Sequence, residues 1–238
     1  MVLSCKQCSA PLPVADAVRG VVTCAFCGAP QTLPREVVQS GGRLISALDF
    51  RTPDMPGWRG TKHYTYQFGG APPALRASLE DSVKGRSYPA LETEGIYDDV
   101  DIAVSISFQE GLPGVTNRVG TRAGLSLRAA PVGQHQYLIH ITNNGLYKVG
   151  VIAPQADGSS RYIDLVGWTR SSALDPTWGS TNRLRAIFAG DRLELRFNGQ
   201  PVASLRDATH QQGQLQLLVN PDGLPAQVWF SDLRLAYP

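Results

Sequence analysis

Leu184-Arg185-Ala186-Ile187-Phe188, Ala189-Gly190-Asp191, Arg192-Leu193-Glu194-Leu195-Arg196-Phe197, Asn198-Gly199 and Gln200-Pro201-Val202-Ala203-Ser204-Leu205 follow one another without interruption. In the middle run Leu193, Leu195 and Phe197 alternate with Arg192, Glu194 and Arg196. A period of two is the repeat of a strand that buries one face and wets the other. Gly190 and the Asn198-Gly199 pair supply the positive φ values that tight hairpin turns require. The stretch therefore reads as a three-stranded antiparallel meander.

Working outward, the same signals recur. Tyr137 to Thr142 and Leu146 to Ile152 flank Asn143-Asn144-Gly145, a second hairpin signature. Asp101 to Phe108, Gly124 to Arg128, Leu215 to Val219 and Val228 to Leu235 are further strand-like runs. Long helical periodicity is missing; only Pro73 to Ser82 reads as a short helix. Many short strands with turn residues between them predict a two-sheet antiparallel sandwich. Pro34-Arg35-Glu36-Val37-Val38-Gln39-Ser40-Gly41-Gly42 lies upstream, with Pro at one end and Ser-Gly-Gly at the other, and marks a linker. The expected organisation is a small unit over 1–36, a linker over 37–42 and a sandwich over 43–238.

The small unit carries every cysteine of the chain. Cys5-x2-Cys8 and Cys24-x2-Cys27 are separated by 15 residues, the spacing of a tetrahedral metal site in which each pair forms one knuckle. Four thiolates at about 2.3 Å close the shell of one Zn²⁺ and leave no position for water, so the ion is expected to organise structure. Iron is the competing occupant of an all-sulfur tetrahedron. Disulfides and a redox CxxC are the other readings of such pairs. Cys5-Lys6-Gln7-Cys8-Ser9 and Gly20-Val21-Val22-Thr23-Cys24-Ala25-Phe26-Cys27-Gly28 resemble a zinc ribbon. Gly28 suits a knuckle that needs positive φ, and Ser9 stands where glycine follows the first pair in that group.

Charge directs the reading away from nucleic acid. There are 22 Lys+Arg against 20 Asp+Glu, a formal net charge of +2. The first 36 residues hold Lys6, Arg19 and Arg35 against Asp16 and Glu36, three minus two, or +1. That is no footprint for a phosphate backbone. No run approaches the about 18 apolar residues of a membrane helix. With all cysteines committed to one site and no secretion signal to be read, the expected compartment is a reducing cytoplasm.

Asn182 to Val202 resembles the N-x-L-x-v-x-v-x-G-d-x-l-x-l-y-v-N-G-x-x-v meander of concanavalin A-like jelly rolls. Leu48-Asp49-Phe50 with Gly57-Trp58 is similar to the opening of the same group, in particular the domains related to family 16 glycoside hydrolases and 3-keto-disaccharide hydrolases. Gln227 to Leu235 matches its last strand in kind. The resemblance implies an all-β chain, a four-cysteine zinc ribbon followed by a concanavalin A-like (jelly-roll) β-sandwich. The same sandwich hosts lectins, hydrolases, adhesion modules and inert scaffolds, so function must be argued from residues.

Family 16 hydrolysis resembles an E-x-D-x-x-E strand, whose carboxylates flank the scissile bond. Asp99 and Asp101 approach that pattern, yet Val104 takes the third position, and Glu92 and Glu94 lie upstream. His63, His135, His140 and His210 are scattered without a partner motif. Catalytic residues are therefore assigned to none. Sugar recognition needs aromatic faces with hydrogen-bonding neighbours, which nominates Trp58, Arg128, Tyr137, Tyr147, Trp168 and Trp178. Trp168 and Trp178 bracket a segment read as a loop, while Trp229 reads as filler between sheets. Three readings follow, in order: a non-catalytic module for a protein partner or for self-association, a carbohydrate-binding protein, and a glycosidase or 3-keto-sugar enzyme using Asp99, Asp101 and Glu94.

Overall fold

The computed structural model describes residues 5–10, 21–24, 26–32, 43–71, 73–79, 88–109, 121–130, 135–220 and 226–238. Among them there is no helix, and every strand pairing is antiparallel. The N-terminal unit is a two-stranded sheet, β1 (Val21–Thr23) with β2 (Pro30–Thr32). The segment 37–42 lies outside the described residues.

The remaining strands form two sheets. One has seven, in the order β12 (Ser160–Arg170), β11 (Leu146–Pro154), β10 (Gln136–Thr142), β9 (Arg122–Ala129), β16 (Gln214–Asn220), β7 (Tyr88–Thr93) and β4 (Trp58–Gly60). The other has eight. Its path runs β15 (Gln200–Arg206), β14 (Arg192–Phe197), β13 (Thr181–Ala189), β8 (Val100–Phe108), β17 (Ala226–Ala236), β6 (Leu75–Leu79) and β5 (Thr65–Gln67), and β3 (Leu44–Leu48) pairs with β17.

Alternation puts one set of apolar residues between the sheets. Val100, Ile102, Val104 and Ile106 on β8 and Leu184, Ala186 and Phe188 on β13 are fully buried, as are Leu125 and Leu127 on β9 and Ile139 and Ile141 on β10. The Tyr137 ring meets Phe188 edge-on at 4.8 Å, and Tyr147 meets Phe197 likewise at 5.2 Å. Both are the favoured offset geometry of aromatic pairs. Removing a ring such as Phe188 would cost about 3–5 kcal/mol. The two asparagines of the meander have structural work: Asn198 donates to the Ala173 carbonyl at 2.8 Å and to Asn182 Oδ1 at 3.0 Å, and Asn182 donates to the Asp175 carbonyl at 2.8 Å. They brace the loop that leads into β13.

A bulge in β17 resets its phase. Ser231 pairs with Ser105 and Arg234 with Ala103, so Asp232 and Leu233 together oppose one residue of β8. Asp232 adopts φ 48° there, as the extra residue of a bulge commonly does. Phe230, Leu233 and Leu235 all reach the core as a result, and Ser231 and Arg234 face outward.

Three sequence expectations need correction. Leu75–Leu79, inside the expected helix, is a strand, because Leu75 and Ala77 bury completely between β5 and β17 while Arg76 turns outward. Trp229 does not fill the space between sheets. It lies between inward Val228 and Phe230, so its ring points out, 4.3 Å below the Arg76 guanidinium. The segment read as a loop from Thr169 begins inside β12, an edge strand whose residues are almost all exposed and carry no apolar alternation.

Candidate metal centre and candidate binding face

The two CxxC knuckles fold alike. Ser9 N–H donates to the Cys5 carbonyl at 2.8 Å and Gly28 N–H to the Cys24 carbonyl at 2.9 Å. Ser9 has φ 59° and Gly28 φ 71°, so serine adopts the same left-handed turn as glycine. Pairing of β1 with β2 closes the hairpin that carries the second knuckle, and the first is tied to it where Lys6 N–H donates to Gln31 Oε1 at 3.3 Å. The four sulfurs all lie within 4.8 Å of one another, with Cys5–Cys27 and Cys8–Cys24 each at 3.6 Å. Sulfurs about 2.3 Å from a tetrahedral ion are roughly 3.8 Å apart. Cys5 and Cys24 are buried, Cys8 and Cys27 exposed. Donor chemistry and spacing both fit a metal ion held by Cys5, Cys8, Cys24 and Cys27.

The second site is the outward face of the seven-stranded sheet. Register aligns Lys148, His140, Gly124 and Leu218 in one row across four strands. The next row carries Asp164, Gly150, Leu138, Ser126, Gln216, Glu92 and Arg59. Tyr162 and Trp168 of the edge strand stand beside these rows, 41 % and 40 % exposed. Glycine is required at two points. A Cβ on Gly150 would overlap the Tyr162 hydroxyl, so the bare backbone lets that ring lie across β11, and a Cβ on Gly124 would strike the Ile139 carbonyl.

Cations hold the aromatics. Lys148 Nζ sits 4.8 Å from the Tyr162 ring centre and 5.7 Å from that of Trp168, and the Arg122 guanidinium is 5.9 Å from Trp168. Asp164 accepts the Lys148 ammonium at 2.8 Å. His140, between them, is buried, and that burial together with Arg122 and Lys148 drives its pKa down to about 3. Ser126 Oγ donates to Gln136 Oε1 at 2.6 Å, and Gln216 donates to Glu92 at 3.3 Å. The exposed part of this face is therefore its edge, Tyr162 and Trp168, while Ser126, Gln216 and His140 further in are buried.

Its acidic residues are poorly placed for glycoside hydrolysis. Asp164 and Glu92 are five strands apart along their row, roughly 24 Å, whereas a hydrolytic pair works at about 5–9.5 Å. Glu92 is also paired with Arg59 at 2.7 Å. Asp101 projects from the other sheet and is locked in two contacts with Arg185. Asp99 accepts the Gly190 N–H at 2.7 Å. Glu94 is exposed.

Of the aromatic and arginine candidates, only Trp168 and Trp178 reach the surface; Trp178 is 38 % exposed in the loop before β13. Trp58, Tyr137 and Tyr147 belong to the core, because they follow the inward phase of their strands. Tyr137 keeps its hydroxyl satisfied by Asp207 Oδ1 at 2.6 Å. Arg128 is buried under Phe188, 3.7 Å from the ring centre, donating to the carbonyls of Asp98 at 3.0 Å and His210 at 2.8 Å. Its charge clamps two loops. Sequence reasoning missed Tyr162, Lys148, Ser126 and Gln216. Alternation could have found the last three, since each is out of phase with a buried neighbour. Tyr162 gave no signal in its unpatterned strand.

No family model and no curated protein matches the chain. Solved structures do. A carbohydrate-binding module, CBM66 from Bacillus subtilis, is similar at 17 % identity over 76 % of this chain and 95 % of that one, with TM-score 0.51. A protein of unknown function with a galectin-like fold from Bacillus subtilis gives 12 % identity over 82 % and 96 %, with TM-score 0.58. A β-glucanase from Bacillus licheniformis gives 12 % over 83 % and 99 %, with TM-score 0.54. Identities this low establish the fold, a jelly-roll sandwich of the concanavalin A-like kind, and nothing beyond it.

Proposed function

We propose that this protein is a non-catalytic carbohydrate-binding module, with a zinc ribbon as a separately folded staple over 1–36 and the sandwich over 43–238. The observation that carries the reading is the pair Tyr162 and Trp168, half-exposed and supported from beneath by Lys148 and Arg122. Aromatic faces stack on the C–H faces of sugar rings, and hydrogen-bonding neighbours orient the hydroxyls. Cations already lying against the rings hold them in place and reduce the ordering cost of binding. The presence of a carbohydrate-binding module and a β-glucanase among the solved structures of similar fold supports the same class. It moves saccharide ahead of the protein partner that the sequence ranked first. Four reduced thiols on one metal suit a reducing compartment, the cytoplasm.

Affinity electrophoresis through soluble β-glucans and galactans, together with a glycan array, tests the proposal. Retention of the wild type is expected, weakened about tenfold in Trp168→Ala, about 1.4 kcal/mol. Failure to bind any glycan, or binding unchanged in both Trp168→Ala and Tyr162→Ala, would overturn it.

A further inference from the structure

The opposite sheet carries a pocket of different chemistry. On the outward face of the eight-stranded sheet a cavity of about 200 Å³ is walled by Arg183, Arg185, Arg196 and Arg234 around Ala103. The register explains it. Arg196 pairs with Arg185, Arg185 with Ala103, and Ala103 with Arg234, so three arginines share one lateral row with a single methyl between them. Ala103 provides the floor because its side chain is too short to fill the gap. Leu44 and Ala236 line it as well and give it an apolar margin.

Two carboxylates meet three of these charges. Arg185 is held by Asp101 at 2.8 and 2.5 Å. Asp232, brought out by the bulge, takes both Arg183 at 2.7 Å and Arg234 at 3.2 Å. Among the described residues these two carboxylates are the ones in contact with the four guanidiniums, and Glu194 acts on Arg185 from further off. Glu194, the nearest further acid on β14, is taken by Arg192 at 2.5 Å. Arg196 stands directly across from Arg185, a like-charged cross-strand pair that is destabilising on its own. Among the described residues its buried Nε has no hydrogen-bond partner. A buried donor left unmade costs about 1–3 kcal/mol.

We infer that this pocket binds a small ligand through an oxyanion group, a carboxylate or a phosphate, received over Ala103 by the guanidiniums of Arg185 and Arg234 that flank it and of Arg196 beyond. Planar guanidinium forks match such oxygens two at a time. The anion screens the Arg196–Arg185 repulsion from the open side of the pocket. Asp101 and Asp232 hold Arg185 and Arg183 in place as the walls. The site is on the sheet opposite Tyr162 and Trp168, so it works independently of the saccharide face.

Titration calorimetry at constant ionic strength tests it on the full chain with inorganic phosphate, acetate and, as the neutral control, acetamide, none of which offers a sugar ring to the opposite face. Saturable binding of one phosphate or one acetate per chain is expected, with no heat from acetamide. Phosphate alone assigns a phosphate ester, and acetate alone assigns a carboxylate ligand. Arg196→Gln removes a group with no ion-pair partner among the described residues and should weaken binding at least tenfold while raising the melting temperature, because the repulsion from Arg185 goes with it. Ala103→Leu fills the floor and should abolish binding while every arginine remains. No binding by either anion, or equal binding in wild type, Arg196→Gln and Ala103→Leu, overturns the inference.

Discussion

The two outward faces of the sandwich share a core and differ in almost everything else. The seven-stranded sheet shows aromatic rings braced by Lys148 and Arg122 over rows in which the carboxylates are paired and far apart. The eight-stranded sheet shows four arginines crowded about a methyl floor, with Asp101 and Asp232 as the carboxylates in contact among the described residues. Inward residues are interchangeable in kind between the sheets; outward residues are not. Alternation obliges every strand to supply a core face and leaves the other face free to carry function.

The largest effect should come from taking the metal away, and it should touch neither face. Chelation, or Cys5→Ser, should unfold residues 5–32, since structural zinc contributes about 10–16 kcal/mol to such units. Both binding faces and the sandwich's melting transition should persist, and metal analysis of the untreated protein should give one zinc per chain. Loss of the sandwich transition would mean that the division at 37–42 is wrong and the two faces depend on the ribbon.

A cut into the shared core should lower both faces together. Phe188→Ala is expected to cost about 3–5 kcal/mol by chemical denaturation, with saccharide and anion binding lost at the same denaturant concentration. Separate losses would show that the sheets unfold independently.

Acid should act through His140, which belongs to one face alone. Its imidazole titrates near 6.5 in an unfolded chain and at about 3 in the fold. Between those values the unfolded chain holds the extra proton, so stability falls as pH falls below 6.5. The loss should reach about 2 kcal/mol by pH 5. His140→Gln should flatten that part of the profile, and an unchanged slope would place the titrating group elsewhere. The smallest effects are the sharpest separators of the faces: Trp168→Ala should cost about tenfold in glycan affinity and leave anion binding intact, and Arg196→Gln should do the reverse.

Much of this could be read along the chain. Arg192–Phe197 is a strand with the bounds that its alternation predicts, and Gly145, Gly190 and the Asn198-Gly199 pair turn with the positive φ their hairpins need. The cysteine spacing brings four sulfurs together as expected. Where a residue's own neighbours in sequence carry the pattern, reading succeeds. It failed at β12, which is exposed on both sides and so has no apolar phase, and at Leu75–Leu79, where five residues fit either period. It misplaced Trp229, because size suggested core where phase put the ring outside.

By itself, the sequence determined which side chains turn inward, where the chain reverses and which atoms can hold a metal, since each depends on a period of two, a positive φ or a fixed local spacing. Only the tertiary structure decided which outward residues meet. Ala103, Arg185, Arg196 and Arg234 are scattered over more than half of the chain, as are Gly150, Tyr162 and Lys148 from Glu92 and Gln216. What joins them is strand order and register, and those are set by the packing of the whole core.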